Sequence, residues 1–240
     1  MEKAYYLGLD QGTTGETALL LDRDMRVVAR GYHEHRQFFP KPGWVEHVPQ
    51  EILDSLLKAA EQAMRNAGVC WEQIRSIGLA NQGETCLMWD RYTGEPVYPA
   101  IVWQDRRTST AADALAQQHR EDIQQRTGLI VDGYFSATKL QWIMDNVPQV
   151  RERIEKGQLL AGTLDSWLIW KLTGGALHVT DCATASRTML FNIHEKRWDT
   201  VLLDLLGVPK EILPQVRECA GDFGTTLPRY TGGESIPICG

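Results

Sequence analysis

The sequence predicts an α/β fold built on a mixed sheet, and three patterns in the first third of the chain indicate it. Three apolar runs, at residues 4–9, 17–22 and 25–35, are separated by short polar segments. Such short connections make neighbouring strands antiparallel, because a parallel crossover needs about a dozen residues or more. Apolar residues then recur at three- and four-residue steps from Ile52 to Met64, which predicts an amphipathic helix. A strand-like run at residues 74–80 follows, so the helix is expected to form a right-handed parallel crossover.

The rest of the chain predicts two further strands and more helix. Pro49 suits the first turn of the first helix, and Gly68 suits its end. No repeat and no Gly/Ser-rich linker divides the sequence, so one continuous domain is expected. The later strands are expected at residues 86–89 and 100–103, and the later helices at residues 108–119, 137–145, 166–172 and 201–206.

The composition is that of a folded globular protein with an acidic balance. Of the 240 residues, 43% are hydrophobic and 23% are charged, which argues against intrinsic disorder. The chain has 25 Lys and Arg against 31 Asp and Glu, a net charge of −6. A nucleic-acid partner is therefore not expected, because such proteins need basic surface to neutralise phosphates. A small anionic ligand in a local pocket remains compatible with this charge.

Three features of the sequence predict a cytoplasmic protein. No run of about 18 apolar residues occurs, so neither a transmembrane helix nor a membrane partner is expected. The first residues lack the basic start and apolar core of a signal peptide. The five cysteines are scattered and form no CxxC pair, so neither a zinc site nor a disulfide framework is indicated.

A glycine-rich turn at residues 10–15 follows the first predicted strand. Such a turn can direct several backbone N–H groups at one anion, and Thr13 and Thr14 add hydroxyl donors. Asp10, at the strand end, is placed to hold Mg²⁺ or its waters. An ordinary hairpin turn explains the same residues equally well, and the segment is neither a Walker A loop nor GxGxxG.

Four further segments combine polar groups with apolar neighbours. Residues 81–85 offer the amide, carboxylate and hydroxyl groups that a polyhydroxy ligand needs, because each ligand hydroxyl that loses water requires a partner. Trp103 lies beside an amide, an acid and two arginines, which suits a stacking floor with a polar rim, and Tyr134 offers a hydroxyl. Structural explanations remain open for all of them: an exposed loop, a core Trp, a helix cap at Ser136, and a strand end before a helix at residues 162–167.

Taken together, the motifs resemble the FGGY family of carbohydrate kinases. The resemblance implies an actin-like ATPase domain of the ribonuclease-H type, with a mixed five-stranded sheet flanked by helices. It also implies transfer of the γ-phosphoryl group of ATP to a polyol with Mg²⁺ as cofactor, and glycerol is the first expectation for the polyol. The matching stretches keep their order over nearly the whole chain, at residues 7–14, 40–47, 81–85, 100–104, 180–181 and 185–192.

The resemblance also implies roles for individual residues. Asp10 is similar to the Mg²⁺-linked carboxylate of the family. The residues similar to the phosphate-binding turn are Gly12, Thr13 and Thr14, and those similar to polyol contacts are Gln82, Gly83, Glu84, Trp103 and Tyr134. These roles suit phosphoryl transfer, which depends mainly on positioning and charge neutralisation.

The sequence departs from the family pattern at two arginines. Family members that act on glycerol carry an arginine where this chain has Gly83. Its absence removes donors and leaves space, which favours a ketose or a longer polyol as the alternative substrate. An arginine usual on the phosphate side is Thr17 here, so a cation is lost unless another residue supplies it. A second hypothesis therefore remains, in which the protein is a non-catalytic actin-like module that binds a polyol.

The chain also ends before two features of the family. Family members continue beyond the position of Gly240 with the aspartate that acts as general base and with a second, nucleotide-binding domain. Residues 1–240 are therefore expected to form the N-terminal, substrate-side domain, with the C-terminal domain of the same protein as partner. No kinase activity is expected from this chain alone. A homodimer through the open cleft face is an alternative that the sequence leaves undecided.

Overall fold

The computed structural model describes residues 3–240 and confirms the α/β fold class. Met1 and Glu2, at the beginning of the segment in which no signal peptide is expected, lie outside the described residues. None of the helices within residues 3–240 combines the length and the apolar composition that a transmembrane helix needs.

Strands and helices occur throughout the chain, and each predicted element is present. The strands are β1 (Tyr5–Gln11), β2 (Gly15–Leu21), β3 (Val27–Glu34), β4 (Gln37–Phe38), β5 (Glu46–His47), β6 (Ile74–Asn81), β7 (Cys86–Asp90), β8 (Ala100–Ile101), β9 (Leu159–Thr163), β10 (Val179–Asp181), β11 (Phe191–Asn192), β12 (Arg197–Trp198) and β13 (Gln215–Arg217). The α-helices are α1 (Pro49–Ala67), α2 (Ser109–Thr127), α3 (Ser136–Asn146), α4 (Val150–Glu155), α5 (Leu164–Leu172), α6 (Cys182–Ala185) and α7 (Thr200–Leu206).

The first sheet is the predicted mixed sheet, with strand order β3-β2-β1-β6. β1 and β2 pair antiparallel, as do β2 and β3, whereas β1 and β6 pair parallel, which confirms the predicted crossover through α1. Four strands are assigned among the described residues, instead of the five expected. The chain end takes the fifth position: Ile238 forms a parallel bridge with Ile77, and the amide of Leu79 donates to the carbonyl of Gly240.

Helix α1 covers one face of this sheet, and Asp10 lies on the other face. Alternate residues of a strand point to opposite faces. Leu7 and Leu9 of β1 are buried with the apolar side of α1 in one core, whereas Asp10 is exposed. The helix begins at Pro49 and is followed by Gly68 in the left-handed conformation, as the sequence predicts.

A second sheet, with strand order β4-β5-β8-β7-β9, is antiparallel throughout. Its strands β4, β5 and β8 have two residues each, too short for an alternating pattern to show in the sequence. Helix α3 and the chain around residues 185–213 form a second core against this sheet. Because β7 follows the polar turn at residues 82–85 and β8 leads to Trp103, this sheet brings both predicted segments to one edge.

Candidate functional site

Two turns at the ends of neighbouring parallel strands form the centre of the site. The turn at residues 12–14 joins β1 to β2, and the turn at residues 82–85 joins β6 to β7. Gln11 at the end of β1 lies opposite Asn81 at the end of β6, so the two turns leave the sheet side by side. The amide Nε2 of Gln82 donates to the carbonyl of Gly12 at 3.4 Å. The predicted phosphate turn and the predicted polyol turn are therefore in direct contact.

The phosphate turn is tightly closed around Gly12. A Cβ added at Gly12 would lie 2.6 Å from the carbonyl oxygen of Gly15, so a side chain at Gly12 would force the turn to move. The backbone N–H of Gly12 donates to Oε2 of Glu16 at 3.1 Å. This N–H is therefore already bonded within the protein. Thr14 is exposed at the tip of the turn.

Trp103 contacts both turns and the predicted polyol tyrosine. Its indole Nε1 donates to Oγ1 of Thr13 at 2.9 Å, and its backbone N–H donates to Oγ1 of Thr85 at 3.2 Å. The rings of Trp103 and Tyr134 are 5.4 Å apart, centroid to centroid, and are inclined by 57°. Because Oγ1 of Thr13 accepts from the indole, its own hydroxyl proton can still be donated to a ligand.

Glu84 is held by an arginine for which the sequence indicated no role. Nε of Arg187 donates to Oε1 of Glu84 at 2.7 Å, and the two side chains are 40% and 8% exposed, respectively. A Cβ added at Gly83 would lie 3.4 Å from Cγ of Arg187, so Arg187 packs directly against the glycine. Its guanidinium carbon lies 5.1 Å from the ring centre of Phe135. An arginine is thus present beside Gly83, although it comes from another part of the chain.

A buried lysine fixes the backbone around Tyr134. Nζ of Lys139 donates to the carbonyls of Gly133, Tyr134 and Phe135 at 2.8, 2.5 and 3.3 Å. These three bonds use the three donors of an ammonium group. Burial lowers the pKa of Lys139 to about 8. For the Tyr134 hydroxyl, whose charged form is the anion, burial raises the pKa, and the nearby Glu84 carboxylate adds to this shift.

Ser136 connects this loop to the polyol turn. The sequence left open a helix cap at Ser136, but Ser136 is the first residue of α3, after Phe135 at the N-cap position. Its Oγ donates to the carbonyl of Glu84 at 2.9 Å. The bond ties the backbone of Glu84 to the start of α3, two residues after Tyr134.

The segment at residues 162–167 has a structural role. Asp165 is buried and accepts hydrogen bonds from Oγ1 of Thr163, Oγ1 of Thr180 and Nδ2 of Asn81, at 2.5, 2.6 and 3.0 Å. Burial raises the pKa of its carboxyl group. The cluster anchors the end of β6, and with it the start of the polyol turn, to β9 and α5.

Asp10 lies on the open face of the mixed sheet, apart from the polyol residues. It pairs with Thr17 on β2, and Nη2 of Arg30 donates to Oγ1 of Thr17 at 3.4 Å. Among residues 3–240, no hydrogen bond or ion pair joins Asp10 or Thr14 to the residues around Glu84. The structure therefore brings together Gly12, Thr13, Gln82, Gly83, Glu84, Trp103 and Tyr134, and it leaves Asp10 and Thr14 on the exposed side of the turn.

The exposed carboxylate of Asp10 suits Mg²⁺ held mainly by other ligands. Within the described part of the chain, no three His, Cys, Asp or Glu side chains are grouped so as to hold a metal ion. Mg²⁺ commonly binds through one or two carboxylates together with waters and substrate phosphates. Asp10 is thus compatible with such an ion next to a phosphate group.

Known proteins share both the sequence and this architecture. Residues 5–240 match the sequence model of the N-terminal domain of the FGGY family of carbohydrate kinases. The chain is 49% identical over 239 residues to the glycerol kinase of Deinococcus radiodurans, covering 100% of this chain and 48% of that protein.

Solved structures agree with this comparison. The fold superposes on Plasmodium falciparum glycerol kinase with ADP with a TM-score of 0.92 at 32% identity, covering 98% of this chain and 47% of that chain. It superposes on the xylulose kinase of Rhodospirillum rubrum with a TM-score of 0.85; at 23% identity over 98% of this chain and 48% of that chain, this likeness shows the fold alone. These neighbours confirm the expected actin-like fold, and the chain spans about half the length of the curated relatives it matches. The chain belongs to the FGGY family of carbohydrate kinases.

Proposed function

We propose that this chain is the substrate-side domain of a kinase that transfers the γ-phosphoryl group of ATP to a polyol, with glycerol as the substrate. One observation carries the proposal: Trp103 donates its indole N–H to Thr13 and lies against Tyr134. Thr13 of the phosphate turn and Trp103 and Tyr134 of the polyol site therefore form one continuous surface. Phosphoryl transfer depends on holding the acceptor oxygen close to the phosphoryl group, which such a continuous surface can do.

The polyol side of the site matches the groups of a small polyol. Glu84 keeps one carboxylate oxygen beyond the one that Arg187 occupies, and this oxygen can accept from a substrate hydroxyl. Arg187, with 40% of its side chain exposed, has further N–H donors for substrate oxygens. The rings of Trp103 and Tyr134 supply apolar walls for the carbon chain. Hydroxyls that leave water thus find charged partners.

Gln82 and Gly83 complete the polyol side in this proposal. The carboxamide of Gln82 borders the phosphate turn, and Gly83 is the residue against which Arg187 packs. Since Arg187 lies next to Gly83, the space left by the family arginine is not simply empty. This contact supports glycerol ahead of a ketose or a longer polyol.

On the phosphate side, the hydroxyls of Thr13 and Thr14 are the proposed donors, and Gly12 lets the backbone turn closely. Asp10 would hold Mg²⁺, which when bound neutralises phosphate charge. Arg30, bonded to Thr17 on the same open face, is the proposed replacement for the missing arginine. We place the general base and the nucleotide-binding domain in the half of the relatives' length that this chain does not span, so the chain alone should not turn over ATP.

Calorimetric titration of the chain tests the substrate. We expect glycerol to bind in preference to xylulose, and Glu84→Gln to weaken glycerol binding by about tenfold or more, since a charged hydrogen bond is lost. The exposed Glu121→Gln on α2 is the control and should bind normally. Preference for xylulose would move the protein to the ketose alternative. Absence of binding to either ligand at millimolar concentration would remove the support for a preformed polyol site.

A further inference from the structure

Three buried polar side chains, those of Glu16, His35 and His47, continue from Gln82 beneath the site, and the proposed function uses none of the three. Nδ1 of His35 is 2.8 Å from Oε1 of Glu16, and neither side chain is exposed. On the other side of the ring, Nε2 of His35 is 3.3 Å from Nδ1 of His47. Nδ1 of His47 is in turn 3.5 Å from Nε2 of Gln82. We call these four residues the buried polar chain.

Both ends of the buried polar chain meet at Gly12. At one end, Oε2 of Glu16 accepts from the N–H of Gly12 at 3.1 Å. At the other end, Nε2 of Gln82 donates to the carbonyl of Gly12 at 3.4 Å. The contacts therefore form a closed ring that begins at the N–H of Gly12 and ends at its carbonyl. The side chains come from β2, the segment after β3, β5 and the turn after β6, so no local sequence motif produces the closed ring.

Stability alone does not account for this arrangement. Burial raises the pKa of Glu16, and burial together with the neighbouring His35 lowers the pKa of His47 to about 3. Within residues 3–240, the buried atoms Nε2 of His47 and Oε1 of Gln82 have no hydrogen-bond partner. Buried polar groups without partners destabilise a fold, and apolar side chains of similar volume often replace buried ion pairs without loss.

We propose that Glu16, His35 and His47 are positioning residues that join the phosphate turn and the polyol turn into one unit. Glu16 holds the N–H of Gly12, and His47 contacts Gln82, one of two side chains that donate to the Gly12 carbonyl; the other is Gln11, at 2.7 Å. A displacement of either turn is thereby transmitted to the other. The roles of the two turns in binding phosphate and polyol rest on the proposed function. Their coupling can be measured in this chain without a ligand. Such coupling matters for transfer, because misplacement by about 1 Å can slow a reaction by about a hundredfold.

Amide hydrogen exchange of the chain without ligand tests the coupling. His47→Leu removes the polar atom shared by His35 and Gln82, whereas His47→Asn can keep a polar atom near the position of Nδ1. We expect His47→Leu to speed exchange about tenfold at residues 12–15 and 82–85, as for the loss of a net hydrogen bond, with α2 unchanged. His47→Asn should restore most of the protection.

The control is His194→Leu, because His194 contacts the carbonyl of Gln125 and no member of the buried polar chain. It should leave both turns unchanged. Unchanged exchange at Gly12 in His47→Leu would overturn the proposal, as would equal effects of Leu and Asn at this position. A purely structural role of His47 predicts faster exchange throughout β5 and β8 and no selective effect at Gly12, which its ring does not touch.

Gln82→Ala keeps the test decisive if His47→Leu does not fold, because Gln82 lies in a partly exposed turn. Without the Gln82 amide, we expect about tenfold faster exchange of the Gly12 N–H, although that N–H is bonded to Glu16 and not to Gln82. Unchanged exchange would refute the coupling. Since no ligand is needed, failure of the coupling and failure of glycerol binding are separate results.

Discussion

Two adjacent residues of β5, Glu46 and His47, point to opposite sides and belong to two different buried polar clusters. His47 is part of the buried polar chain. Glu46 belongs to what we call the Arg107 cluster, which consists of Arg107, Glu46, Asp105, Tyr98, Trp44 and Trp142. Because adjacent side chains of a strand point to opposite faces of the sheet, the two clusters lie on opposite sides of β5.

The clusters differ in how completely their polar groups are paired. Arg107 donates to Oε1 of Glu46 at 2.7 Å and to the two carboxylate oxygens of Asp105 at 2.9 and 2.8 Å. Its guanidinium carbon lies 3.7 Å from the ring centre of Trp44. The buried polar chain, by contrast, contains a polar atom of His47 without a partner in the described chain. Stability can account for a buried polar cluster in which every polar group has a partner. It does not account for one in which a buried polar atom has none.

The largest effect is expected at Arg107. Arg107→Met leaves the carboxylates of Glu46 and Asp105 buried without their cation, so the free energy of unfolding should fall by about 3–5 kcal/mol. The neighbouring Arg106→Met removes only an exposed ion pair with Asp132 and should cost about 0–1 kcal/mol. Urea denaturation of the two variants gives the comparison. Equal losses would show that the Arg107 cluster is not the structural one.

The second effect is a pH dependence that belongs to His47. Its pKa is about 3 in the folded chain and 6.5 as the ordinary value, mainly because of burial. A lowered histidine pKa gives stability that is present above pH 6.5 and is lost as the pH falls toward 3. The unfolded state then binds one proton more, so each pH unit in this window costs about 1.4 kcal/mol.

His47→Asn removes this titration. The free energy of unfolding of the variant should therefore fall less steeply between pH 6.5 and pH 4 than that of the wild-type chain. Glu16 acts in the opposite direction, because its raised pKa favours the fold at low pH in both proteins. His178, whose pKa burial lowers to about 4, contributes equally to both. Parallel curves from urea denaturation would contradict the assignment to His47.

A smaller effect is expected at Arg187, on ligand affinity alone. Arg187→Gln removes a charged partner of Glu84 and should weaken glycerol binding by about tenfold, as for loss of one charged hydrogen bond. The melting temperature should stay near that of the wild type, because glutamine keeps an N–H donor for the buried Glu84 carboxylate. Arg197→Gln, which removes an exposed arginine paired with Glu195, is the matched control for calorimetry. Normal glycerol affinity in Arg187→Gln would remove Arg187 from the polyol site.

The smallest effect on stability is expected from replacing Glu16 and His35, and it distinguishes the buried polar chain from the Arg107 cluster. The double variant Glu16→Met with His35→Leu replaces the buried pair by apolar side chains. Relief of their burial should offset the lost partner of the Gly12 N–H, so the free energy of unfolding should change by less than about 2 kcal/mol. Glycerol affinity should nevertheless fall. A loss as large as that in Arg107→Met would indicate that the buried polar chain is structural after all.

Local patterns predicted those elements whose burial is periodic. The apolar side of α1, with Pro49 at its start and Gly68 at its end, was recognisable because packing on a sheet requires that spacing. The second half of α2 extends beyond the helix that the sequence predicts, since few of its residues are buried and its polar sequence shows no apolar face. The resemblance implies the site residues by position, and the structure joins all of them by contacts except Asp10 and Thr14, which are exposed.

The missed residues depend on contacts between distant parts of the chain. Arg187 and Glu84 are 103 positions apart, and no spacing rule connects them. Glu16 reads as an ordinary strand residue, and His35 and His47 lie on separate segments. Their roles follow only from the parallel pairing of β1 with β6 and from the position of β5 beside β8, which are properties of the tertiary structure.

The most direct test of the central claim, that one ligand site includes both turns, is an NMR titration of the chain with glycerol, observed at the backbone amides of Thr13 and Glu84. We expect both amides to shift and their shifts to saturate with the same Kd, and we expect Glu84→Gln to weaken both together. Saturable shifts at Glu84 with Thr13 unmoved, or shifts at the two residues with different Kd values, would contradict it.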